Sequence, residues 1–175
     1  MAISEQQADQ VYKLCGREVG ISSLYVLEQI PPAKLKKASR SYALPMGQSE
    51  VPVLLYDDTV FGSAKEGFML TNRRLCGKNI VEKGFFTDIS DISGMSIEHG
   101  ALSSDVIVQT PTQRIVLQIT QASGKEQKLA LFRVLEKTID VLKSPQETRR
   151  DSNLCANCGA AVNPLRALCE YCGRR

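Results

Sequence analysis

Tryptophan is absent from the sequence, and histidine occurs once, as His99. A catalytic triad would have to pass through that one position. It stands beside Gly100 with Ser103, Ser104 and Asp105 following, and nothing around it forms a nucleophile elbow or an oxyanion loop. His99 therefore reads as a turn residue. The phosphate-cradling patterns GxxxxGK[ST] and GxGxxG are missing as well, so nucleotide binding has no support. No stretch approaches the roughly 18 apolar residues of a membrane-crossing helix. The first residues, Met-Ala-Ile-Ser-Glu-Gln-Gln, have neither a basic region nor an apolar one, so no secretion signal is read. A net charge of +3 is too small to announce a nucleic-acid binder. These absences set the expectation of a non-enzymatic cytoplasmic protein with no small-molecule substrate.

At 175 residues the chain has room for one ordinary domain and a small appendage. The hydrophobic share of 43% and charged share of 23% are those of a globular protein rather than a disordered one. Six cysteines in a secreted chain would suggest disulfides. Here four cluster near the end and two, Cys15 and Cys76, stand alone, which in a reducing compartment reads as a zinc site plus free thiols.

The cluster runs Cys155-Ala-Asn-Cys158-Gly159 and then Cys169-Glu-Tyr-Cys172-Gly173. Two residues between cysteines let both thiolates of a turn face one ion, and the following glycine permits the positive φ that closes the turn. The separation is shorter than the usual spacing of about 15–20 residues, but a small ribbon bridges it. The segment has little apolar content of its own, so a metal must supply its stability. Structural zinc contributes on the order of 10–16 kcal/mol in small finger peptides. Four thiolate ligands leave no open position for water, which makes the expected zinc structural rather than hydrolytic. The alternative is a pair of disulfides or a redox dithiol, although neither cysteine pair opens a helix beside a βαβ unit.

Along the chain, residues 1–47 read as a helical N-terminal region. Ser4 and Gln7 form a capping box, followed by an apolar stripe of Ala8, Val11, Tyr12, Cys15 and Val19. Ser22–Ile30 is turn-like, and Pro32 opens a helix to about Tyr42 whose Lys34, Lys36, Lys37 and Arg40 give a basic face. That face is either a solvated surface or a contact for an acidic membrane or partner. From Glu50 the pattern changes to short strands: Val51–Tyr56, Thr59–Phe61, Gly67–Thr71, Arg73–Gly77, Phe85–Ile92, Met95–His99, and a hairpin of Asp105–Thr110 with Gln113–Thr120. Close spacing of so many strands points to an antiparallel sandwich or small barrel. Ser123 and Glu126 cap a last helix, with Leu129, Phe132, Leu135, Ile139 and Leu142 as its stripe, ended by Pro145. Residues 145–153 are polar and read as a linker, with the ribbon at 154–175.

Strands followed by one capped helix, together with particular residues in residues 48–144, resemble the pleckstrin-homology-like (PH-like) and GRAM families. The residues are Glu50 ahead of Val53-Leu54-Leu55, the run Gly67-Phe-Met-Leu-Thr71-Asn72-Arg73-Arg74-Leu75, and Phe85-Phe-Thr-Asp-Ile89-Ser-Asp91-Ile92. The resemblance implies an α+β fold in which a bent antiparallel sheet is plugged by the C-terminal helix. Thr71 and Asn72 are expected to brace a tight turn, and Asp88 and Asp91 to position a loop. Members that bind phosphoinositides do so through basic loops, which makes Arg73, Arg74, Lys78 and Lys83 candidate lipid-binding residues here, with Glu82 diluting the cluster. The chain is thus expected to be an adaptor binding proteins through both modules. The alternatives are a peripheral sensor of anionic lipid and a ribbon that binds nucleic acid, for which Arg166, Arg174 and Arg175 are the available cations.

Overall fold

The chain divides into two compact units, Met1–Ser144 and Pro145–Arg175. The computed structural model describes residues 3–17, 21, 23–43, 45–47, 49–99, 104–122, 124–144 and 172. The expected linker and ribbon therefore lie outside the described residues, apart from Cys172, as does the capping residue Ser123.

Helix α1 spans Glu5–Arg17. Its capping box forms as the sequence suggests: the Gln7 N–H donates to Ser4 Oγ at 3.2 Å, and the Ser4 N–H donates to Gln7 Oε1 at 3.2 Å. Gln7 also ties α1 to the last helix, its Nε2 donating to the Val141 carbonyl at 2.9 Å. Val11 is fully buried, and Cys15 packs beside it against the core. Burial pushes the Cys15 thiol up to about 11, which leaves it protonated and suited to packing rather than chemistry.

The next segment departs from the expectation of a turn-like piece within a helical region. Leu24–Val26 is a strand, β1, which adds an edge to the first sheet by pairing antiparallel with the strand that follows α2. Three residues are too few for alternation to show in a sequence window. The pairing is decided by the partner, with Tyr25 opposite Leu55, Tyr25 packing towards α2 and Val26 towards the core. Pro32 opens α2 (Pro32–Ser41) at its first turn, where its missing N–H costs nothing.

Strands β2 (Pro52–Asp57), β3 (Gly67–Thr71), β4 (Arg74–Lys78) and β5 (Phe85–Asp88) complete a five-stranded antiparallel sheet in the order β1-β2-β3-β4-β5. A second antiparallel sheet contains β6 (Gly94–His99), β7 (Ser104–Gln109) and β8 (Arg114–Ile119). No ladder joins β5 to β6, so the two sheets do not close into a barrel. Thr59–Phe61, read from sequence as a strand, is instead part of the loop between β2 and β3. Its turn is imposed by the Asp57 carboxylate, which collects the Thr59 and Ala64 N–H groups at 3.1 Å each.

Helix α3 (Gly124–Lys143) buries Leu131, Phe132, Leu135 and Ile139 in the core that both sheets share. Leu54, Tyr56 and Leu70 enter that core from the first sheet, and Val106, Val108 and Leu117 from the second. The opposite face of the first sheet, through Leu55, Met69 and Cys76, is covered by α2 and its flanks. The molecule is α+β, with helices on both sides of antiparallel sheet. Among the described residues, no helix is long and apolar enough to cross a membrane.

Candidate functional site: a cationic cleft at one end of the first sheet

The basic residues singled out in the sequence fall at opposite ends of the β3–β4 hairpin. Arg73 and Arg74 sit at its turn, whereas Lys78 closes β4 opposite Gly67, about 13 Å along the strand. Lys83 is exposed in the loop 79–84 at the Lys78 end.

The Arg73–Arg74 end is a structural clasp. Arg74 grips Glu50 with two parallel bonds, Nε to Oε1 at 2.9 Å and Nη2 to Oε2 at 2.5 Å. Thr71 Oγ1 donates to Glu50 Oε1 at 2.7 Å and accepts the Arg73 and Arg74 N–H groups at 3.1 and 2.8 Å. Asn72 Oδ1 accepts the Val51 N–H at 2.9 Å, and its amide donates to the Ser49 carbonyl. Burial by itself would raise the Glu50 carboxyl. The hydrogen bonds from Arg74, Thr71 and the Gly47 N–H, with the Arg74 charge, outweigh it and hold Glu50 below the usual carboxylate range. Arg74 is therefore committed to the fold and is not a cation available to a ligand. Arg73 donates to Ser49 Oγ at 2.9 Å on the exposed side of the same clasp.

The other end is different in kind. Lys37, Arg40 and Ser41, one face of α2 at helical spacing, converge with Lys65 of the β2–β3 loop and Lys78 of β4 on an open cleft of about 420 Å³. Ser41 Oγ donates to the Lys65 carbonyl at 2.7 Å, which holds the loop against the helix. The loop 79–84 meets the residue that ends α2, where a Cβ at Gly84 would stand 2.9 Å from Tyr42 Cβ. All four charged lining residues are cations, and none of them has a carboxylate within ion-pair distance among the described residues.

The neighbouring Lys34 shows what a compensated cation looks like here. It sits one turn before Lys37 and donates to Asp57 Oδ2 at 2.5 Å and to the Gly62 carbonyl at 2.8 Å, with its ammonium over the Tyr25 ring. Burial works to raise Asp57, but bonds from Lys34 and Thr59 prevail and keep it low. Asp58 is pushed up by burial, partly offset by bonds from Gln121, Thr120 and Tyr56. Asp58 thereby pins the first sheet to the segment after β8. Glu82, which the sequence sets among the basic residues, takes a bond from Asn79 at 2.8 Å and does not line the cleft.

Sequence reading noticed the basic helix and the basic hairpin as separate features. The fold joins Lys37 and Arg40 of the helix to Lys78 of the hairpin and adds Lys65, for which no local signal exists. His99 ends β6 opposite Ser104 in the ladder, and Ser103 lies outside the described residues. Of the four candidate zinc ligands, Cys155, Cys158 and Cys169 lie outside the described residues, and Cys172 is half-buried. Comparison of the chain with protein-family models, with curated proteins and with solved structures gives no match.

Proposed function

We propose that this chain is a non-enzymatic binding protein whose first unit takes an anion of the phosphate class in the α2–β4 cleft. The observation that carries the reading is the set Lys37, Arg40, Lys65 and Lys78 around one cleft with no carboxylate among its described lining residues. Uncompensated cations gathered around one cleft repel one another, and a multivalent anion relieves that repulsion while accepting several charge-assisted hydrogen bonds. The buried carboxylates among the described residues, Glu50, Asp57 and Asp58, are each engaged in holding turns or strand ends, and none lines the cleft. The relation to PH-like and GRAM-like domains belongs to the same proposal. It is supported by antiparallel strands followed by one core-packed helix, and by the Glu50–Thr71–Arg74 clasp that links the quoted residues. At the C-terminal end we place a structural zinc on Cys155, Cys158, Cys169 and Cys172, on the strength of their spacing, as a second contact module for protein partners.

Calorimetric titration of the full chain with inorganic tripolyphosphate tests the cleft. Binding that weakens as salt is raised, is lost in the Lys37→Glu/Lys65→Glu double variant, and is unchanged in Arg73→Glu is the expected result. Equal loss in Arg73→Glu, at the far end of the hairpin, would reject the cleft as the site.

A further inference from the structure

Two loops at the cleft end of the first sheet carry apolar side chains outward. Val60 and Phe61 in loop 58–66 are 72% and 96% exposed, and Val81 in loop 79–84 is 95% exposed with Ile80 beside it at 47%. Single exposed aliphatics are ordinary. These four sit on loops that spring from paired strand ends, since Asp57 and Lys78 both pair with Gly67.

Neither loop is slack. In the first, Asp57 Oδ1 accepts from Thr59 Oγ1 at 2.5 Å and from the Ala64 N–H at 3.1 Å. Thr59 Oγ1 in turn accepts the Ser63 N–H at 2.6 Å, and Lys34 fastens the Gly62 carbonyl. In the second, Asn79 donates to Glu82 and to the Val116 carbonyl, both at 2.8 Å, and accepts the Gln118 N–H at 3.0 Å. Ala64 and Val81 hold positive φ angles of 53° and 66°, which a side chain adopts only where its surroundings impose it. The apolar tips are thus held in water by bonded loops. A tip already ordered loses little conformational entropy when another surface covers it.

Two of the cleft cations belong to these loops or adjoin them. Lys65 is on the first loop, and Lys78 immediately precedes Asn79 of the second. Exposed apolar tips and a cluster of cations at the same end of one sheet match what an anionic bilayer offers, hydrocarbon beneath a plane of phosphates. We infer that this end of the molecule docks on an anionic membrane surface, with Val60, Phe61, Ile80 and Val81 entering the headgroup–acyl boundary and the cleft holding a lipid phosphate. The inference rests on the reading of the cleft as a phosphate site.

The full chain is sedimented with vesicles of phosphatidylcholine and phosphatidylserine, and with phosphatidylcholine alone. Tripolyphosphate titration and a urea midpoint accompany each variant. The chain partitions onto the anionic vesicles. Phe61→Ser/Val81→Ser lowers that partition by about tenfold or more while leaving tripolyphosphate affinity and the midpoint unchanged. Lys37→Glu/Lys65→Glu lowers the partition by about twenty-fivefold or more, at roughly fivefold per cation, and abolishes tripolyphosphate binding with it. Unchanged partition in the Phe61/Val81 variant overturns membrane docking. Tripolyphosphate binding without vesicle binding also overturns it and leaves the cleft reading in place. Binding to neither probe removes both.

Discussion

Replacing Glu50 with alanine removes the carboxylate from the clasp and leaves the Arg74 guanidinium without its partner. The two side chains are only 3% and 16% exposed, so water replaces little of what is lost. Breaking a buried ion pair from one side costs about 3–5 kcal/mol, and the residual exposure of Arg74 places this case near 3 kcal/mol. With a urea slope of about 2 kcal/mol/M, the unfolding midpoint of the Met1–Ser144 unit falls by about 1.5 M at neutral pH. Arg74→Ala alone gives a similar fall. The double variant loses much less than the sum, since neither orphan remains. The pH dependence carries a second signature. Glu50 is held below its unfolded value, so its contribution is fully present above a pH of about 4.3 and fades as pH drops through the folded value. The stability difference between wild type and Glu50→Gln is therefore flat from pH 5 to 8, within about 0.5 kcal/mol, and shrinks below pH 4. A midpoint shift under about 0.3 M in Glu50→Ala, or strict additivity in the double variant, would refute the clasp as a source of stability.

Gly67 heads β3 with φ at +115°, and a Cβ there would lie 2.1 Å from the Tyr56 carbonyl oxygen, which belongs to backbone and cannot step aside. Gly67→Ala is expected to cost about 3 kcal/mol or more in urea unfolding, and a loss under about 1 kcal/mol would show that the close approach is not maintained in solution. For the C-terminal module, metal analysis of the purified chain is expected to give one zinc per molecule, released by chelator and lost in Cys158→Ser. That variant leaves the urea midpoint of the first unit unchanged. Zinc retained in full by Cys158→Ser would reject the four-cysteine assignment.

Much of the fold is legible in the sequence because its strongest signals are local. The Ser4–Gln7 box, Pro32 at the head of α2 and the apolar stripe of α3 each act within a few residues, and each element stands where its signal lies. Leu24–Val26 carries no such signal, because a three-residue strand is created by the β2 edge it joins. Val60 and Phe61 read as strand for the opposite reason. Their side chains favour extended backbone, and the Asp57 carboxylate overrides that preference by gathering the loop's N–H groups around itself. The same logic governs the site. Charge could be counted along the chain, but which cations are free depends on distant carboxylates. Arg74 and Lys34 look as available as Lys78 in the sequence, yet Glu50 and Asp57 claim them. The cleft gathers four of the cations that such pairings leave uncompensated among the described residues, and its Lys65 corner comes from a loop with no pattern of its own.

The absence of tryptophan from the chain makes a direct test available. Phe61→Trp places a single indole at the tip of loop 58–66, where the native side chain stands almost wholly in solvent. In buffer its emission is that of an indole in water. On phosphatidylserine-containing vesicles the account predicts a blue shift, together with quenching by brominated acyl chains, and both are lost when Lys37 and Lys65 are reversed to glutamate. Protein that sediments with those vesicles while the Trp emission stays at its value in water would contradict it.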